Sequence, residues 1–168
     1  MDASEVRLRS ATAADAPRLK VVAQAAYGHY VARLGGPPRP ITDDYADVVR
    51  SRQVTVADRD GEIVGLIVLG VGDEGFFIDN VAVDPAHQGR GIGRTLLEHA
   101  EVAATRAGFD SIYLYTHEKM TENLALYSRI GYVEYDRREH GGALLVYLRK
   151  ELRASRAGSR GDLPRSLR

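Results

Sequence analysis

Cysteine is absent from the 168 residues. That removes disulfides, thiolate metal sites and a cysteine nucleophile together, so any chemistry rests on oxygen and nitrogen groups, and a reducing compartment suits the chain. Net charge is missing as well. The 23 basic residues balance 23 acidic ones, so no overall field draws the chain to nucleic acid or to an anionic membrane. No apolar run approaches the roughly 20 residues that a bilayer-spanning helix needs. Met1-Asp2-Ala3-Ser4-Glu5 has neither the basic nor the apolar region of a secretion signal. The expected location is cytoplasmic, with no nucleic-acid and no membrane partner. Histidines 29, 87, 99 and 140 show no metal-ligand spacing with one another, no internal repeat is present, and no metal is expected.

What remains, 44% hydrophobic and 27% charged residues, describes one globular domain with enough chain for a core. Val6 to Arg9 alternates as a strand. Thr12 or Asp15 can then cap a helix whose apolar positions Leu19, Val22, Ala23, Ala26, Tyr27 and Tyr30 recur at helical spacing. Gly35 to Pro40 reads as an irregular loop, because each proline removes a donor and restrains its predecessor. A short helix from about Asp43 to Ser51 leads into strand Val54 to Ala57. Asp58-Arg59-Asp60-Gly61 and Gly72-Asp73-Glu74-Gly75 are turns flanking strands Glu62 to Val71 and Phe76 to Val83. A helix with Leu96, Ala100, Ala103 and Ala107 on one stripe stops at Gly108. It is followed by strand Ser111 to Thr116, a helix from Asn123 to Arg129, and a closing hairpin, Tyr132 to Arg137 with Ala143 to Arg149. The order predicts an α/β (α+β) fold with a mixed, mostly antiparallel sheet of about seven strands flanked by about four helices. Residues 1–152 form the expected single domain. Residues 153–168, with five arginines and one aspartate, form a basic tail expected to be disordered.

The chemistry concentrates where the fourth strand enters its helix. Val81-Ala82-Val83-Asp84-Pro85-Ala86-His87-Gln88-Gly89-Arg90-Gly91-Ile92-Gly93-Arg94 runs from apolar strand through a glycine-punctuated turn. Glycines 89, 91 and 93 let backbone approach a ligand, and the helix start offers unsatisfied N–H groups and a positive dipole end. That is an anion cradle suited to a pyrophosphate. A triphosphate loop needs Gly followed by Lys and Ser/Thr, whereas Gly93 is followed by Arg94 and Thr95. A dinucleotide fingerprint needs G-x-G-x-x-G, whereas Gly91-Ile92-Gly93-Arg94-Thr95-Leu96 ends in Leu, and Asp110 is misplaced for a ribose-binding acid. Both nucleotide readings are weaker than a third.

Gln88-x-x-Gly91-x-Gly93 after strand Phe77 to Val83 resembles the acyl-coenzyme A pyrophosphate loop of the GNAT superfamily of N-acetyltransferases. Asn123-x-x-x-Tyr127, within Thr121-Glu122-Asn123-Leu124-Ala125-Leu126-Tyr127-Ser128-Arg129-Ile130-Gly131-Tyr132, resembles that superfamily's second signature, in the expected order and distance. The resemblance spans roughly residues 5 to 150 and is specific between 77 and 132. It implies a GNAT-like sheet in which strands 77 to 83 and 111 to 116 splay apart to hold acyl-CoA. Acetyl-CoA is then the co-substrate, an acetyl group passes to a primary amine by direct attack in a ternary complex, and a homodimer is possible. Gln88, Gly89, Arg90, Gly91, Ile92, Gly93 and Arg94 would hold the pyrophosphate, mainly through main-chain N–H groups. Val81, Ala82 and Val83 would meet the pantetheine arm, with an N–H near Val81 facing the thioester carbonyl. Asn123 is expected on the coenzyme arm, against a plain helix N-cap, and Tyr127 is the expected general acid, against a packed core aromatic.

The general base is more open. Strict alternation puts Asp79 on one face with Val81 and Val83, so its carboxylate would reach the cleft, while His117, just past the fifth strand where the cleft opens, offers an imidazole as the other candidate base. Tyr27, Tyr30 and Tyr45, with Arg33, the proline loop, Asp43 and Asp44, are expected to flank the acceptor. A small amine leads as acceptor, with a protein N-terminus or lysine as the alternative. A non-catalytic acyl-CoA-binding module also stays open.

Overall fold

The computed structural model describes residues 5–152. The expected basic tail, 153–168, and the first four residues of the expected domain lie outside the described residues. Seven strands, β1 (Arg7–Ser10), β2 (Gln53–Arg59), β3 (Glu62–Gly72), β4 (Gly75–Val83), β5 (Ser111–His117), β6 (Val133–His140) and β7 (Ala143–Glu151), form one sheet in the order β1-β2-β3-β4-β5-β7-β6. Every neighbouring pair is antiparallel except β4 and β5, which run parallel. The helices are α1 (Ala16–Tyr27), α2 (Tyr30–Leu34), α3 (Arg39–Thr42), α4 (Tyr45–Ser51), α5 (Ile92–Arg106) and α6 (Thr121–Arg129).

The strands form where apolar runs meet turn chemistry. Asp60 and Gly61 take positive φ, +53° and +86°, in the two-residue turn between β2 and β3, the backbone that matches strand twist in a tight hairpin. β3 is buried continuously from Ile63 to Leu69, as a central strand covered on both faces must be. One face packs on α5 through Leu96 and Ala100, and the other on α1 and α4 through Leu19, Val22 and Tyr45. Each fully buried leucine contributes about 1.5–3 kcal/mol through apolar burial.

Three local expectations change. The insert between β1 and β2 is more helical than the proline loop implies: α3 begins at Arg39, and Pro40 fits because a first-turn N–H has no helical partner to lose. The stripe expected from α1 to Tyr30 breaks into α1 and α2. On α5 the inward stripe runs Ile92, Leu96, Leu97, Ala100 and Ala104, while Ala107, already the C-terminal cap, is exposed.

The parallel pair opens part-way along. Pairing of β4 with β5 is confined to Phe76–Ile78 against Ile112–Leu114. Beyond it, β4 stays bonded to β3 as far as Val83 and β5 stays bonded to β7 as far as His117, so a wedge separates their inner edges. A β-bulge sits at the same place. Val68 pairs with Asn80 and Leu69 with Ile78, which leaves Asp79 as the extra residue and turns the strand more sharply.

Candidate active site

The wedge opens into two clefts that share a wall. One, of about 510 Å³, is lined by Val81, Ala82 and Val83 of β4, the turn from His87 to Gly89, the start of α5 from Gly91 to Arg94, and Asn123 and Tyr127 of α6. The other, of about 430 Å³, is lined by Ile78 to Val81, Leu114 to His117, the insert from Leu34 to Pro40, and the β6–β7 end. Tyr27, Val81, Asn123 and Tyr127 line both.

The first cleft has the features an anion needs. α5 begins at Gly91 in the left-handed region, φ +81°, with no side chain capping its N-terminus, and Gly89 has φ +80°. Its first intrahelical bond runs from the Thr95 N–H to the Gly91 carbonyl, 3.0 Å, so the amides of Ile92 to Arg94 have no acceptor within the helix. A fifteen-residue helix sets its positive dipole end there. Gln88 closes the turn by donating its side-chain amide to the Val83 carbonyl, 3.2 Å. Ile92 is buried against the core, leaving only its N–H for a ligand, and the Ala82 side chain points to the α1 side. Arg94 is exposed and paired with Glu98 at 3.1 Å. Arg90 is exposed and is not among the lining residues.

Tyr127 stands between the clefts, with 7% of its surface exposed and its ring edge-on to Tyr132. Burial pushes its phenol above the usual tyrosine range, with nearby Tyr30 adding to the shift, so it stays protonated through neutral and mildly alkaline pH. Asn123 is not the N-cap of α6, which opens at Thr121 after Met120. It lies inside the helix, where its amide approaches the Met120 sulfur at 3.7 Å and faces both clefts.

Asp79 reaches the second cleft by another route than strict alternation. The bulge shifts the phase by one, so Ile78 and Val81, three apart, join the same core cluster. Asp79 turns instead to α3, where Arg39 donates to both its carboxylate oxygens, 2.9 and 3.3 Å, and to its carbonyl, 3.1 Å. His117 lines the same cleft and accepts the Lys119 backbone N–H on Nδ1 at 3.1 Å. Because a backbone N–H can only donate, the neutral ring carries its proton on Nε2.

Of the aromatic acceptor candidates, Tyr27 lines the second cleft and Tyr30 the first, while Tyr45 lines neither. The Tyr27 hydroxyl lies 2.9 Å from Asn80 Oδ1 and 2.8 Å from the Val81 carbonyl. Asn80 donates to the Tyr45 hydroxyl, 3.1 Å, which in turn donates to the Pro40 carbonyl, 2.6 Å. This chain fixes the backbone around Val81. Arg33 bonds Glu122 at 2.7 Å, Asp43 pairs with Arg39 and Asp44 caps α4, so these three serve the insert rather than an open surface. Sequence reasoning missed Asn80 and His140, both lining the second cleft, and reached Arg39 only as part of the proline loop, without its partner Asp79. A polar Asn inside an apolar strand was the one available signal. Among the described residues no cluster of three or more His, Asp or Glu could hold a metal, and no helix is long and apolar enough to cross a membrane.

A mixed sheet parted at its single parallel pair, with an uncapped glycine turn beside the gap, defines the acyl-coenzyme A-dependent acetyltransferase class of folds. The chain belongs to the acetyltransferase (GNAT) family, whose pattern matches residues 23–132. It is 34% identical over 86 residues to a mycothiol acetyltransferase of Jonesia denitrificans, covering 50% of this chain and 27% of that protein. It is 33% identical over 81 residues to an IAA acetyltransferase of Azospirillum brasilense, covering 47% and 53%. The chain thus matches about half or less of the length of these curated relatives. The PaiA N-acetyltransferase of Thermoplasma acidophilum, solved with coenzyme A, shares the fold with a TM-score of 0.74 at 19% identity, covering 88% of this chain and 99% of that one.

Proposed function

We propose that this protein transfers an acetyl group from acetyl-CoA to a small primary amine by direct attack in a ternary complex, with residues 1–152 acting as one acetyltransferase domain. The observation that carries it is Tyr127 on the wall shared by two clefts, one ending in an uncapped helix start and the other bounded by the insert. The residues present fit the coenzyme: amides of Gly91 to Arg94 for a pyrophosphate, and the free inner edge of β4 around Val81 for the amide-bearing arm. Bound acetyl-CoA would supply an activated acyl carbonyl and a thiol leaving group.

The chain's residues then have distinct tasks. The Val81 N–H, oriented by the Tyr27 contact to its carbonyl, faces charge developing on the carbonyl oxygen, an effect of about 3 kcal/mol per donor. Tyr127, held protonated by burial, hands its proton to the departing sulfur. One proton leaves the amine nitrogen as one reaches sulfur, and water in the open wedge returns it to the tyrosine. Asp79 is engaged on both oxygens by Arg39, and the free His117 nitrogen already carries hydrogen. Asp79 and His117 therefore do not take the amine proton directly in this arrangement; water relays it, and partial burial in the cleft favours the neutral amine by desolvating its charged form.

Thiol release measured with acetyl-CoA and a panel of primary amines tests this reading. Tyr127→Phe should lower kcat about 10- to 10²-fold while coenzyme affinity stays nearly unchanged. Equal turnover in parent and variant would remove Tyr127 from the mechanism. Thiol release with no amine of the panel would leave a coenzyme-binding module in its place.

A further inference from the structure

Asn80 is a polar side chain held inside an apolar cluster. It is 5% exposed and reaches Tyr45, itself 2% exposed and packed among Leu19, Val22, Val54 and Val68. An amide in such a place costs stability unless its hydrogen bonds are made, and here each bond fixes the next. The Pro40 carbonyl can only accept, so the Tyr45 hydrogen is committed to it at 2.6 Å. The Tyr45 oxygen then accepts, and Asn80 must present its amide nitrogen there, at 3.1 Å. That turns the amide oxygen toward Tyr27. The Tyr27 oxygen lies 2.9 Å from it and 2.8 Å from the Val81 carbonyl oxygen, so one hydrogen is shared between two consecutive residues of β4. Burial holds both phenols above the ordinary tyrosine range, and each keeps the hydrogen that the chain of bonds uses. The sheet itself holds this stretch weakly: it follows the Asp79 bulge in the ladder to β3 and lies beyond the last pairing with β5. The Val81 N–H sits in the backbone between the Asn80 side chain and the Val81 carbonyl, so side chains pin it on both flanks.

Resting on the transferase reading above, we infer that Asn80 and Tyr45 are positioning residues for acyl transfer: through Tyr27 they tie the Val81 amide to the insert and set the angle at which it meets the thioester carbonyl. Tyr45 lines neither cleft, and it acts through Asn80 and Tyr27. A donor aimed at developing charge works only where it is held in place, so play at Val81 lowers kcat. Coenzyme affinity rests mainly on the turn from Gln88 to Arg94, which lies outside this chain of bonds, and it stays.

Tyr45→Phe, Tyr27→Phe and the two combined, made in the full-length protein, test this, since each loses hydroxyl oxygen and keeps its rings. With the best acceptor of the amine panel at saturation, Tyr27→Phe should lower kcat about tenfold and Tyr45→Phe about threefold or more. Coenzyme A affinity, measured by calorimetry, should stay within about threefold of the parent in both. The double variant should lose no more than about twice what Tyr27→Phe loses alone, because Tyr45 reaches Val81 along the same path. Unchanged kcat in Tyr45→Phe, or losses that multiply, overturn the assignment. Hydrogen exchange in protein saturated with coenzyme A gives the second readout. The Val81 amide should exchange about tenfold faster in Tyr45→Phe, while the amides of Phe76 to Ile78, on the stretch paired with β5, keep their rates. A uniform quickening along β4 would make Tyr45 a stabilising residue alone and overturns the assignment too. Should the double variant fail to fold, the two single variants decide. Faster exchange at Val81 in a protein that releases no thiol with any amine refutes the transferase reading and leaves the chain of bonds standing. Thiol release with kcat and Val81 exchange unmoved by either variant does the reverse.

Discussion

At the residue scale, two glycines set the backbone of the turn proposed to hold the coenzyme. Gly89 and Gly91 both sit near φ +80°, and a Cβ added at either would meet no protein atom within 4 Å. Their requirement is therefore conformational, reinforced by whatever ligand must approach the backbone. A branched residue at Gly91 pays the left-handed penalty of roughly 1–2 kcal/mol and also projects into the cleft. Gly91→Val should weaken coenzyme A binding by at least about tenfold in calorimetric titration. Unchanged affinity would move the pyrophosphate away from this turn. Both glycines were legible in the sequence because the motif records backbone freedom directly. Arg39 was not: its partner Asp79 is 40 positions away, and neither local periodicity nor motif spacing reports a contact of that range.

Among the elements, the start of α1 shows how charge and capping join. The Asp15 carboxylate accepts the Thr12 backbone N–H at 2.8 Å and is gripped by Arg9 of β1 at 2.8 and 3.1 Å. The Arg9 hydrogen bonds hold Asp15 down at about 2, below the ordinary aspartate value. A lowered carboxylate stabilises the folded state fully above the unfolded-state value near about 4 and loses that contribution as pH falls toward about 2. Asp15→Asn should therefore lower the melting temperature at pH 6, with the gap to the parent protein narrowing steadily below about pH 4. A gap independent of pH would mean that capping geometry, not charge, is what Asp15 supplies. The sequence named Thr12 and Asp15 as caps, since capping is a three-residue matter. It did not name Arg9, which reaches them from another element.

For the whole molecule, the site belongs to no single element. β4 and β5 part because each keeps its outer partner while losing the other, and α1, the insert, α5 and α6 each contribute a wall. A ligand bridging these pieces favours the folded state alone. Acetyl-CoA at about one hundred times its Kd should add about 2.7 kcal/mol and raise Tm by about 5–10 °C. Differential scanning calorimetry with and without it measures the shift, and the rise should shrink in Gly91→Val. No shift at saturating coenzyme would mean that the wedge does not bind it.

The order of seven strands, the hairpin turns, the helix-start cradle and the Asn123/Tyr127 signature were determined by sequence alone, because each rests on contacts within a few residues or on a run of one periodicity. The three-dimensional packing decided what alternation could not. An unannounced extra residue at Asp79 shifted the strand's alternation by one and turned its carboxylate to Arg39. The proline insert folded into helix and carried Arg39 across the cleft. The Lys119 amide chose the His117 tautomer. Each of these depends on which distant group arrives beside a side chain, and that is settled only when the sheet and its covering helices close on one another.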